Sequence, residues 1–149
     1  MILFILKVCN YMANLKDKIE VEFENIERIF KEFPQDIPLH QLSTLELAGI
    51  ATLIHNFYNG LENILKQILK EKNISLPQTS SWHKDLLNYS EQNSIISNNT
   101  KNKLGEYLAF RHFFSHAYAL DLFPEKLEPL VQNVQDVYSS LKKDINKYL

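Results

Sequence analysis

The chain has 149 residues, 45% hydrophobic and 23% charged, which suits one domain with a buried core. With only 3 Gly and 5 Pro it lacks the turn residues of an all-β sandwich or barrel, and Gly49, Gly60 and Gly105 stand too far apart for a phosphate loop or a dinucleotide fingerprint. A net charge of −2 supplies no global field for nucleic acid, so such binding would need a local basic patch, and the single Cys9 excludes an internal disulfide and a cysteine-based zinc finger and fits a reducing cytoplasm.

Met1–Val8 reads MILFILKV, far short of the roughly 20 apolar residues of a membrane span and without the features of a secretory signal. Residues 1–11 read as an extension or a short strap on the first helix, and 12–149 as one helical domain. The spacing predicts a first helix over Leu15–Phe33, with Leu15, Ile19, Phe23, Ile26 and Phe30 on one stripe and Pro34 as its stop. A long second helix is expected over Thr44–Lys72. Ser43 and Glu46 have the form of a capping box, and Leu47, Ile50, Ile54, Phe57, Leu61, Ile64 and Ile68 form its apolar stripe. A shorter helix follows at Trp82–Gln92 and then an Asn/Ser-rich loop at 93–99. The fourth helix is expected over Thr100–Leu120. Pro124 opens the fifth, to Tyr148, in which Leu127, Leu130, Val134, Val137, Leu141 and Ile145 keep the period and Pro129 would kink or delay the start. No segment alternates with a two-residue period, so the fold class is all-α, an up-and-down bundle of about five helices.

The chemistry-bearing residues concentrate in the fourth helix, in Arg111-His112-Phe-Phe-Ser-His116-Ala-Tyr118. On a continuous helix Arg111 and Tyr118 would share one stripe, His112 and His116 would lie on the neighbouring one, and Ala109, Phe113 and Leu120 would face the bundle. A permanent cation beside two imidazoles and a phenol suits phosphodiester chemistry. A neutral imidazole can take a ribose 2′-hydroxyl proton, and a guanidinium can hold the phosphate oxygens as charge builds. A second proton carrier for the leaving oxygen would be another histidine, from this chain or from a second subunit. The same spacing also suits polar residues that merely line a bundle edge, and spacing alone does not separate the two readings.

His112 and His116 have zinc-pair spacing but no third ligand and no HExxH, so no metal is assigned. His40, His55 and His83 read as structural, the last as a cap or packing residue at the start of the third helix. Ser115 has no nucleophile elbow. Glu62 and Asp121 are the carboxylates that would orient Arg111 or a histidine. The lysines at 66, 70, 72, 101 and 103 read as solvated faces or as a local RNA contact.

Arg111, four residues, His116, one residue and Tyr118 resemble the Arg-x4-6-His-x-Tyr signature of the HEPN superfamily, in its HepT-like toxin branch. His112 after the arginine, Asn56-Phe-Tyr-Asn-Gly-Leu-Glu62-Asn, and Ser81-Trp-His-Lys-Asp-Leu-Leu87 resemble further elements of that branch, and the resemblance spans roughly residues 12–148. It implies a homodimeric HEPN bundle acting as a metal-independent ribonuclease toxin of a type II toxin–antitoxin pair, with no cofactor, in the cytoplasm and off the membrane. Arg111 would be the phosphate-stabilising cation, His116 the general base or acid, His112 an auxiliary polar group, and Glu62 a supporting residue. Tyr118 would be the residue to which an MNT-type minimal nucleotidyltransferase antitoxin transfers AMP. The RNA would be tRNA or mRNA, with tRNA favoured. The competing readings are a non-catalytic HEPN binding module that supports a nucleotidyltransferase, and a structural helical adaptor.

Arg111 and His116 are five residues apart, about 140° around an ideal helix. A shared phosphate would therefore require a helix break, a long arginine reach or a partner chain.

Overall fold

In the computed structural model, which describes residues 14–149, five α-helices and three short 3-10 turns follow one another, with no strand among the described residues. The helices are α1 (Leu15–Phe30), α2 (Thr44–Glu71), α3 (Trp82–Gln92), α4 (Asn98–His116) and α5 (Pro124–Ile145). The expected extension at 1–11 lies outside the described residues.

Local chemistry accounts for most of the boundaries. The Asn14 side chain accepts from the Asp17 amide at 2.9 Å and opens α1. The helix ends at Phe30, earlier than expected. Proline disfavours helical backbone at the residue before it, and the tightened bond from the Phe33 amide to the Phe30 carbonyl closes the turn. The Ser43–Glu46 capping box forms with both bonds at 3.1 Å. At their far ends α2 and α3 stop on residues with positive φ, Asn73 (57°) and Ser94 (56°). The amides of Ile74 and Ile95 return to the carbonyls of Leu69 and Ser90, as in a Schellman cap.

α2 is the strut. At about 1.5 Å per residue it spans some 42 Å, and it touches each of the other four helices. Its expected stripe is buried from Leu47 to Ile68 and packs with Ile19, Phe23 and Ile26 of α1, Leu104, Tyr107 and Phe110 of α4, and the predicted stripe of α5 in one core. Each such side chain contributes on the order of 1.5–3 kcal/mol. Gly60 lies where α1 and α2 pass closest: a Cβ there would stand 2.9 Å from Ile26 Cγ1. No described helix is long and apolar enough to cross a membrane.

Expectations for α4 and α5 are corrected. α4 ends at His116, not Leu120, and the chain continues in extended backbone at Ala117 and Tyr118 and then a 3-10 turn at Ala119–Asp121. Beyond Phe114 the side chains at 115, 116, 118, 119 and 120 are exposed, so no packing rewards further helix, whereas turning back buries Leu122 ahead of Pro124. Ala109, within α4, and Leu120, beyond its end, do not face the bundle; Tyr107 and Phe110 do, with Phe113 and Phe114 half-buried. In α5, Pro129 does not delay the start, and the last residues, Asn146–Tyr148, form a 3-10 turn.

Candidate functional site

The site is built around one carboxylate. Glu62 sits in the middle of α2, flanked by buried apolar residues, and is only 2% exposed. A charge so deeply placed requires partners. Its Oε2 lies 2.7 Å from Nδ1 of His83, at the start of α3. Its Oε1 lies 3.8 Å from Nε of Arg111, on α4, an ion pair too long to be a hydrogen bond. Arg111 Nε is thus buried without a hydrogen bond, and Glu62 is the guanidinium's ion-pair partner among the described residues.

Two more groups on the same stripe of α2 face this cluster. The Tyr58 hydroxyl is buried near Glu62 but makes no hydrogen bond of good geometry; burial, and then the carboxylate's charge, push the phenol well above its usual range. His55 packs on Phe114 with ring centroids 5.1 Å apart, and its buried Nδ1 is unpartnered. Burial, and then the charge of Arg111, lower its pKa and keep the ring neutral near pH 7.

A groove of about 870 Å³ opens between α3 and α4 over this cluster. His83 and Lys84 line it from α3, and Arg111, His112 and His116 from α4, with Leu87 and Leu108 among its apolar residues. His112 and His116 are exposed at the end of α4, their rings 5.1 Å apart in an edge-to-face arrangement. They also border a second cavity of about 510 Å³ with Phe113, Asp121, Phe123 and Lys126. α4 is unbroken from Arg111 to His116, yet both residues border the same groove, Arg111 turned toward Glu62 and His116 toward solvent.

The structure therefore brings Arg111, His112 and His116 to one groove, with Glu62 paired to Arg111, and Tyr118 is not among the residues lining that groove. Tyr118 does not share a helical stripe with Arg111. It follows the helix end, with φ −82° and ψ 152°, and is 80% exposed. Asp121 stands at the second cavity and is not the partner of Arg111. Of the lysines, Lys101 pairs with Glu91 at the groove and Lys103 with Asp136, while Lys66 covers the Trp82 ring.

His83, which the sequence reads as a cap or packing residue and as part of the Trp-His stretch of the family resemblance, is instead the partner of Glu62, a pairing that sequence reasoning missed. The available signal was indirect: a glutamate embedded in an apolar stripe demands a cationic or donor partner, and no spacing says that the partner lies 21 residues onward. Among the described residues no cluster of three or more His, Cys, Asp or Glu is arranged to hold a metal ion.

No curated protein and no solved structure matches the chain. A family model described as HepT-like protein matches residues 49–149, a span that holds Glu62, His83, Arg111, His116 and Tyr118. α1 precedes that span and completes the core against α2. With its motif elements in order on an all-helical bundle, and with the greater part of its length matched, the chain belongs to the HepT-like protein family.

Proposed function

We propose that this HepT-like HEPN protein is the toxin of a type II toxin–antitoxin pair and acts as a metal-independent RNA endonuclease, with tRNA favoured over mRNA. The observation that carries the reading is the single groove bordered by Arg111, His112 and His116 over a buried counter-charge. His116, exposed and able to meet a polymer, takes the proton of a ribose 2′-hydroxyl as the 2′-oxygen attacks phosphorus. Glu62 faces Arg111 at Nε, 3.8 Å away, and the guanidinium meets the phosphate oxygens as negative charge develops. His112 contributes a further polar group beside His116. The apolar residues of the groove suit a second copy of the chain, so that a homodimer would set two such sites across a shared cleft.

Control by an MNT-type nucleotidyltransferase is supported by the exposure of Tyr118, a phenol open to a second enzyme. Tyr118 lies two residues past His116, within about 7 Å of chain. An adenylate there would bring bulk and negative charge to the groove mouth and compete with RNA phosphate for Arg111.

The test is incubation of unmodified protein with total RNA in EDTA, beside His116→Ala, followed by sequencing of the RNA ends. Cleavage by the wild type alone, leaving cyclic phosphate or 3′-phosphate ends, is expected. Equal silence of both proteins, with intact mass showing Tyr118 unmodified, would replace this reading with a non-catalytic binding module.

A further inference from the structure

The geometry points to His83 as the general acid of the reaction, the residue that protonates the leaving 5′-oxygen, with Glu62 as its positioning residue; this rests on the ribonuclease reading above. Three observations meet in it. His83 lines the same groove as Arg111 and His116, although it comes from a different helix. Its Nδ1 is committed to Glu62 at 2.7 Å, which sets the ring orientation and leaves Nε2, on the opposite edge, as the nitrogen that can serve substrate. The Glu62 carboxylate is itself almost fully buried, so it offsets positive charge on the ring without exchanging its place with water. Contact of the ring with Trp82, tilted by 32° with centroids 3.5 Å apart, restrains it further.

One carboxylate thus organises two functions. Through Oε1 it faces the guanidinium of Arg111, and through Oε2 the imidazole of His83, so phosphate cation and proton donor are held within one side chain's width of each other. In the reaction the 2′-oxygen–phosphorus bond forms and the proton of the 2′-hydroxyl passes to His116. The phosphorus–5′-oxygen bond breaks, and the 5′-oxygen receives the proton from His83 Nε2. The products are a 2′,3′-cyclic phosphate and a 5′-hydroxyl. His116 ends protonated and His83 neutral, and proton exchange with water resets both.

A leaving-group substitution isolates the acid. The purified full-length protein is assayed in EDTA on an oligoribonucleotide containing its cleavage site, and on the same oligonucleotide with sulfur in place of the bridging 5′-oxygen, whose thiolate departs without a proton. His83→Ala should slow cleavage of the oxygen substrate on the order of 10²–10⁴-fold, the usual contribution of a positioned acid, and slow the sulfur substrate less than about tenfold. His116→Ala should slow both, and His40→Ala, an exposed histidine on the Leu39–Gln41 turn, neither. Equal slowing of both substrates by His83→Ala would make His83 a structural residue and overturn the assignment, and so would full activity on both. Silence of the wild type on both substrates would overturn the ribonuclease reading itself, and the acid with it.

Discussion

Nδ1 of His83 lies 2.7 Å from a Glu62 carboxylate oxygen whose partner oxygen faces Nε of Arg111 at 3.8 Å. The three residues come from three helices, so this carboxylate ties α2 to α3 and α4 through two residues that line the groove. A buried charge held by a guanidinium and an imidazole is stable only while it keeps them.

Glu62→Ala should therefore destabilise the fold, since it leaves Arg111 Nε without its counter-charge and His83 Nδ1 without its partner. The expected loss is on the order of 2–4 kcal/mol, read as a lower urea midpoint. Glu62→Gln, which keeps an acceptor for His83 but removes the charge, should lose less. A Glu62→Ala protein as stable as the wild type would remove Glu62 from its structural role.

His55 supplies a pH signature. Its folded-state pKa is lowered, first by burial and then by Arg111, with Glu62 opposing and His83 adding to the effect. The unfolded chain then binds a proton that the folded chain refuses. The contribution is fully present above the ordinary histidine pKa of about 6.5 and is lost as pH falls through the folded value. Stability measured from pH 7 down to 5 should decline, and His55→Phe should flatten that part of the curve. An unchanged slope in the variant would assign the decline to other groups.

Asp144 gives a second signature, at lower pH. Burial pushes its carboxyl up, but hydrogen bonds led by the Ser97 amide, at 2.8 Å, outweigh that and hold it below the usual range. This bond joins the start of α4 to the end of α5, and its contribution is present above about pH 4 and lost as pH falls through the folded-state value. Asp144→Asn should cost about 1 kcal/mol at pH 7, and the difference from wild type should shrink as pH falls below about 4.

Two glycines of α2 should respond with opposite signs. Gly49 has no atom within 4 Å of a Cβ position, so Gly49→Ala should stabilise by about 0.5–1 kcal/mol through reduced backbone entropy. At Gly60 the new methyl would press on Ile26, buried in the core, and Gly60→Ala should destabilise by about 1 kcal/mol once overpacking outweighs the helix propensity gained. Thermal midpoints of the pair provide the check, and stabilisation at both sites would contradict the close crossing of α1 and α2.

Under the proposed function, Tyr118→Phe separates toxicity from control. Tyr118 is 80% exposed, so its replacement should shift stability by less than about 0.5 kcal/mol. Expressed in a host with an MNT-type nucleotidyltransferase, the variant should arrest growth where the wild type is tolerated, and intact mass should show no added adenylate. Arg111→Ala in the same assay should abolish arrest. If Tyr118→Phe is tolerated as well as the wild type, the neutralising modification lies elsewhere.

The amino-acid sequence by itself determined the helices and the buried faces of α1, α2 and α5. Periodicity and capping are local, so Leu15, Ser43, Trp82 and Pro124 could be read as starts, and the stripes of α2 and α5 as core. It also determined that the unusual side chains cluster between Arg111 and Tyr118. Tertiary packing alone decided where α4 ends, because a helix continues only while its side chains find a surface to bury, and past Phe114 none is offered. That choice took Tyr118 off the Arg111 stripe and into solvent. Packing also decided the partner of His83: Glu62 and His83 meet only because α3 docks beside the middle of α2, a non-local event that leaves no period in the chain.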